Sequence, residues 1–193
     1  MARPKAFNEE EVIDKAVEIF WAKGYEATSM QDLIDAMGIQ RGSLYGAFGS
    51  KQQLFLKSLK RYGSVVVKKL LEILESKPSA IESIELFFAQ LVEHLLTAGA
   101  LRSCLVTNSA IERGLRDEET KQQVLHLLKA LENGFYKSLL RAEENGELSK
   151  ELDLKVVANY LTSSMQGLLV IGKVCSERSV LEGINQVTLS ILK

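Results

Sequence analysis

Proline is almost absent from this sequence: Pro4 and Pro78 are the only two in 193 residues. Proline removes a backbone donor and breaks helices, so its scarcity leaves room for long uninterrupted helical segments. Cysteine is equally sparse. Cys104 and Cys175 stand too far apart for a disulfide framework or a metal motif, and a reduced, cytoplasmic setting is expected. No stretch approaches the roughly 18 uncharged apolar residues of a membrane span, so no membrane partner is expected. MARPKAFNEEEV at the start has basic residues with no apolar run behind them, so a secretory signal is not expected either. Also missing are a nucleophile elbow, a phosphate loop and a catalytic His–carboxylate constellation. His94 and His126 have no second ligand at metal spacing. Neither enzyme chemistry nor a cofactor or metal is expected.

An excess of charge of one sign is lacking too. The net charge of −1 and pI near 6.2 argue, as totals, against a nucleic-acid partner. Distribution matters more than the total. Residues 1–69 hold eleven basic and eight acidic side chains, whereas the remaining 124 hold thirteen and seventeen. A mildly basic N-terminal third permits DNA binding without demanding it.

What is present is helical periodicity. With 46% apolar residues the chain can bury one large core or two small ones. Asn8-Glu9-Glu10-Glu11 reads as a capped helix start, followed by Val12, Ile13, Ala16, Val17 and Phe20 at helical spacing and a stop at Gly24. A second start is expected at Thr28 with Gln31 at the box position, and a short helix to Met37 before Gly38. A third short segment runs from Gln40 to Tyr45. Ser50 caps a long fourth helix reaching about residue 76. Beyond the break at Pro78 the periodic segments span roughly 80–98, 117–144, 153–174 and 179–192, with one short helix within 99–116 and a stop at Asn145-Gly146. The expected fold is all-α with about nine helices. The expected division is a helix-turn-helix domain over 1–52 and a helical domain over 53–193.

Two short helices joined through a glycine turn and packed on an amphipathic helix have the shape of a helix-turn-helix. Leu33, Met37, Ile39, Leu44 and Phe48 would face inward. Gln40, Arg41, Ser43 and Tyr45 would remain on the exposed side, where Arg and Gln suit guanine and adenine edges and hydroxyls suit phosphates. Ser50-Lys51 offers a helix N-terminus with a cation, a second phosphate site. Spacing alone fits equally well a motif used for protein contact, or four helices that merely pack together.

The run GYEATSMQDLIDAMGIQRGSLYGAFGSKQQLF, residues 24–55, closely resembles the DNA-binding domain of the tetracycline-repressor-like (TetR) family. The resemblance rests on Gly24-Tyr25, Thr28-Ser29, Asp32, Gly38-Ile39, the GSLY run at 42–45, Phe48 and Ser50-Lys51. It implies phosphate contacts from Thr28, Ser29, Tyr45 and Lys51, and base reading from Gln40, Arg41 and Ser43 with Gly42 beside them. Gly46 departs from the histidine or aromatic that many relatives carry there. It removes one side-chain contact and weakens the helix by roughly 1 kcal/mol relative to Ala.

The resemblance fades after about residue 62. It implies a homodimer on double-stranded operator DNA, most simply a repressor on a palindrome, released by a small-molecule effector bound in the C-terminal half. The dimerisation residues expected on the last two helices are Tyr160, Ser164, Gly167, Leu168, Ile184, Val187 and Ile191. Effector contacts are expected from Phe88, Leu91, Cys104, Asn108, Phe135 and Met165. A guanidinium at Arg102 would favour the Cys104 thiolate and make it a candidate redox or electrophile switch. Trp21 is expected to pack between the first and fourth helices. The competing class is a helical sensor that keeps the motif but binds no DNA.

Overall fold

The computed structural model describes residues 7–97, 104–148 and 151–193. Among them there is no strand. Helix α1 (Glu9–Lys23) starts where Asn8 accepts from the Glu10 amide, and three glutamates in its first turn complement the helix dipole. Gly24, at φ 79°, ends it.

Helix α2 (Met30–Met37) begins one residue later than expected. Its cap is Ser29, not Thr28, and the box partner is Asp32, not Gln31. The Ser29 hydroxyl accepts from the Asp32 amide, while the Asp32 carboxylate accepts from the Ser29 amide at 2.8 Å. Thr28 points inward, its hydroxyl donating to the Gly24 carbonyl at 2.5 Å. The Lys23 ammonium and the Ser29 donors hold the Asp32 carboxyl well below the usual carboxylate range. Gly38 adopts the left-handed conformation at φ 69°, and α3 (Arg41–Phe48) follows with no side-chain cap.

Helix α4 (Lys51–Tyr62), capped by Ser50, continues through a π turn (Gly63–Val67) into α5 (Lys68–Leu74) as one rod. At the π turn Gly63 lies against Leu127, where a Cβ would sit 2.4 Å from the leucine Cδ2. Helices α6 (Ala80–Thr97), α7 (Leu105–Arg113), α8 (Glu118–Glu144), α9 (Leu154–Ile171) and α10 (Arg178–Leu189), with a final 3-10 turn (Ser190–Leu192), complete the body. With the rod counted once, the described residues hold nine helices, in line with the number expected from periodicity. The α8 stop falls at Asn145-Gly146, as expected.

One hydrophobic core runs through both halves. In the first three helices and the start of α4 it centres on Phe20, which meets Phe55 edge-on at 4.9 Å between ring centroids. In the body it centres on Phe87, Phe88 and Phe135, with centroids 5.0 to 5.8 Å apart.

The start of α6 is held from a distance. The Glu147 carboxylate accepts from the Ser79 hydroxyl at 2.6 Å and from the Ala80 and Ile81 amides at 3.2 and 3.0 Å. Partial burial pushes this carboxyl up, but those donors and Asn145 outweigh it and hold the pKa at about 2. A carboxyl depressed in the folded state stabilises above its unfolded pKa and loses that contribution as pH falls through the folded value. Glu147→Gln should therefore cost about 1 kcal/mol at pH 7. In urea unfolding the gap between wild type and variant should narrow as the pH drops from about 4.5 toward 2. A gap independent of pH would contradict this role.

Candidate nucleic-acid interface and the cavity behind it

Leu44 and Phe48 are buried and anchor α3 against the core, so the rest of its surface faces outward. Gln40, Arg41, Gly42, Ser43, Tyr45 and Gly46 are all exposed. Tyr45 is 40% exposed, with the Arg41 guanidinium 5.9 Å from its ring centroid. Ser29, the cap of α2, is exposed as well. Thr28, expected to grip phosphate, is only 1% exposed and spends its hydroxyl on Gly24. That expectation is corrected: facing inward at the end of the α1–α2 turn, Thr28 does not present a donor to a ligand on this surface.

Gly42 and Gly46 have open space where a Cβ would stand, so nothing within the fold requires glycine there. Gly24 is the opposite case. Its φ is positive, and a Cβ would lie 2.1 Å from the Glu112 carboxylate.

That contact belongs to a polar seam between the N-terminal helices and the body. Glu112, near the end of α7, accepts from the Tyr25 amide at 2.8 Å and the Glu26 amide at 3.4 Å. Arg113 donates to Glu26 at 3.1 Å and Gln52 at 3.4 Å, and its guanidinium lies 4.5 Å from the Tyr25 ring centroid. The Lys51 ammonium lies 4.2 Å from the same ring, and burial there lowers its pKa. Gln52 completes the seam by donating to Asp117 at the start of α8. Glu112 and Arg113 were not anticipated: their partners lie 61 to 87 positions away, and no local pattern marks such a pairing.

Behind the seam is a cavity of about 230 Å³. Of the six expected effector contacts, Leu91, Cys104 and Met165 line it. Phe88 and Phe135 do not; both are wholly buried in the aromatic trio and serve the core. Asn108 also stands outside it, its carbonyl accepting from the Lys173 ammonium at 2.5 Å. Trp21 packs edge-on against Tyr62 of α4 at 5.2 Å, as expected, but also forms cavity wall together with Tyr62, His94 and Leu70. Cys104 is 8% exposed and accepts from the Tyr62 hydroxyl at 3.8 Å. Arg102, its proposed activator, lies outside the described residues.

On α9 and α10 an apolar surface faces outward. Val156, Tyr160 and Val170 of α9, Val180 and Val187 of α10, and Ile191 of the final 3-10 turn are between 37% and 67% exposed. Gly167 is open on the same side, and Ser164 and Ile184 are half-buried. Leu168, expected on this face, is instead fully buried. It follows Leu161 and Met165 at helical spacing, on the α9 stripe that closes the subunit's own core.

A short exposed helix held by a glycine turn, on a helical body with an apolar cavity, fits a helix-turn-helix regulator. The comparisons agree along the whole chain. Residues 12–57 match the family described as bacterial regulatory proteins, tetR family, and residues 80–187 match the tetracyclin repressor-like C-terminal domain. The uncharacterized HTH-type transcriptional regulator YezE of Bacillus subtilis (strain 168) is 38% identical over 193 residues, covering 100% of both chains. The HTH-type transcriptional repressor ComR of Escherichia coli (strain K12) is 26% identical, covering 99% of this chain and 90% of its own. Among solved structures, a cysteine mutant of the TetR family regulator CifR, complexed with 26-bp double-strand operator DNA, superposes with a TM-score of 0.85. The two are 27% identical, with 97% of this chain and 98% of that one covered. The chain belongs to the tetR family of bacterial regulatory proteins. It is a DNA-binding transcriptional regulator, not an enzyme.

The two kinds of glycine give a paired test by urea unfolding. Gly46→Ala should raise stability by about 0.5–1 kcal/mol, because a helix interior gains from the smaller entropy loss. Gly24→Ala should lower it by at least about 1 kcal/mol, through the positive φ and the displaced Glu112. Equal effects would show that the α1–α2 seam is not tight.

Proposed function

We propose that this chain is a homodimeric repressor that grips a palindromic operator and releases it when a small uncharged molecule fills the cavity. The observation that carries the reading is the α3 surface, where Gln40, Arg41, Ser43 and Tyr45 stand exposed together over a buried Leu44–Phe48 anchor. Arg41 and Gln40 read base edges, Tyr45 and Ser29 donate to phosphate, and Lys51 supplies a cation at the start of α4. Gly42 and Gly46 leave the helix surface low, which suits close approach of a duplex.

One α3 helix spans only a few base pairs, so a useful operator calls for two, about 34 Å apart in successive major grooves. The outward apolar faces of α9 and α10 supply a surface for a second copy, and the two subunits together make a four-helix bundle. In that bundle Tyr160, Gly167, Val187 and Ile191 make the contact, with Ser164 and Ile184 at its edge. Residues 1–52 act as the DNA-reading unit and 53–193 as the unit that dimerises and senses, with Trp21 reaching from the first into the cavity of the second.

The test is DNA binding by variants of the full chain at several salt concentrations. Lys51→Ala should weaken binding and flatten the plot of log affinity against log salt by about 0.9, the share of one phosphate contact. Tyr45→Ala should weaken binding by about tenfold, the loss of one good hydrogen bond, and leave the slope alone. Unchanged affinity in both variants would favour the sensor that keeps the motif without using it on DNA.

A further inference from the structure

The cavity's wall has a consistent chemistry. Among the described residues no Asp, Glu, Lys or Arg side chain lines it; apolar groups from the π turn, α5, α6, α8 and α9 make most of its surface. The polar groups offered by the N-terminal side are donors short of acceptors. The Trp21 indole N–H is buried with no hydrogen-bond partner. The Tyr62 hydroxyl, on a side chain only 3% exposed, has as its acceptor the Cys104 sulfur at 3.8 Å, a weak one. Burial pushes the Tyr62 phenol well above its ordinary pKa, so it stays a donor at any physiological pH. The two rings meet edge-on, and the Trp21 ring also stacks with His94 across the wall.

Buried donors lacking good acceptors are rare in folded proteins, and each marks either strain or a place left for a ligand. Two such donors on one ring pair, at the edge of a cavity whose described walls are mostly apolar, favour the second account. We propose that the cavity takes a small, flat, uncharged and mostly apolar molecule bearing one carbonyl-type acceptor. The acceptor replaces the Cys104 sulfur as the partner of the Tyr62 hydroxyl and draws in the Trp21 N–H. A cavity of about 230 Å³ suits a ligand of one or two rings. Among the described wall residues a carboxylate or ammonium finds no Asp, Glu, Lys or Arg as counter-charge and binds less well.

The ligand named here is the effector of the proposed regulator, so the inference rests on that reading. Its consequence lies in Trp21. This side chain belongs to α1, the helix on which α2 packs, so a molecule held by Trp21 and Tyr62 touches the DNA-binding half directly.

The chain has a single tryptophan, so its ¹⁵N spectrum contains one indole N–H signal, and that signal reports on this wall alone. The experiment titrates the full-length protein with acetophenone, with ethylbenzene as the same shape lacking the carbonyl, and with benzoate as a charged relative. Acetophenone should shift the indole signal downfield and bind about tenfold tighter than ethylbenzene, the worth of one neutral hydrogen bond. Benzoate should leave the signal in place. Tyr62→Phe, which keeps the ring, should cut the preference for acetophenone, and the double variant with Trp21→Phe, followed by calorimetry, should reduce it to about one. Leu70→Phe, which fills the cavity without touching either donor, should abolish binding of both neutral probes. Equal affinity for the two neutral probes in wild type, an indole signal unmoved at saturating acetophenone, or preferential binding of benzoate would each overturn the proposal. None of these readouts involves DNA, so failure here leaves the operator-binding reading standing, and failure of that reading leaves this one measurable.

Discussion

The exposed helix α3 cannot position itself. It is eight residues long, contains two glycines and lacks a side-chain cap, so its orientation is set by what lies beneath and behind it. Beneath are Leu44 and Phe48, locked into the core around α1 and α4. Behind is the α1–α2 turn, held by one carboxylate, Glu112, on the amides of Tyr25 and Glu26. A carboxylate bonded to two backbone amides is a strong, directional attachment. Gly24 lets it approach, and Arg113 and Lys51 flank it around the Tyr25 ring.

This attachment places α7 in an informative position. At its start the Cys104 cap and Val106 line the cavity, and its last two residues, Glu112 and Arg113, hold the seam. The helix spans nine residues, so one short element joins the cavity wall to the seam. Trp21 gives a second link, from cavity wall into α1. In the proposed regulator these links let an effector change the separation of two recognition helices. Coupling of about 1–3 kcal/mol between sites is ordinary for such systems. The π turn at Gly63–Val67 lends Val66 and Val67 to the cavity and interrupts the rod that joins the halves, the kind of place where π geometry often marks function.

Much of this was legible in the sequence, for local reasons. Helix ends followed glycine, Asn8, Ser50 and Asn145-Gly146, because caps and stops are decided within four residues of themselves. The exposed face of α3 followed from the buried spacing of Leu44 and Phe48. Thr28 was misjudged because adjacent hydroxyls at a helix start look alike; which one caps depends on the inward path of the turn after Gly24. Leu168 was misplaced by one step around α9, where each residue turns the chain by about 100°. The cavity was half legible. Leu91, Cys104 and Met165 sit on it, but Phe88 and Phe135, equally apolar, are consumed by core packing that only three-dimensional neighbours decide. The seam was invisible, since Glu112 and Arg113 find their partners 61 to 87 positions away.

The most direct test of the account is selection of genomic DNA fragments by the purified full-length protein at low salt, followed by sequencing of what it retains. The account predicts enrichment of a short inverted repeat whose half-site centres lie one helical turn, about 10 base pairs, or a multiple of it apart. That result requires two recognition helices on one symmetric dimer. Enrichment of nothing above background by a folded dimer, or of a single unrepeated half-site, would contradict it.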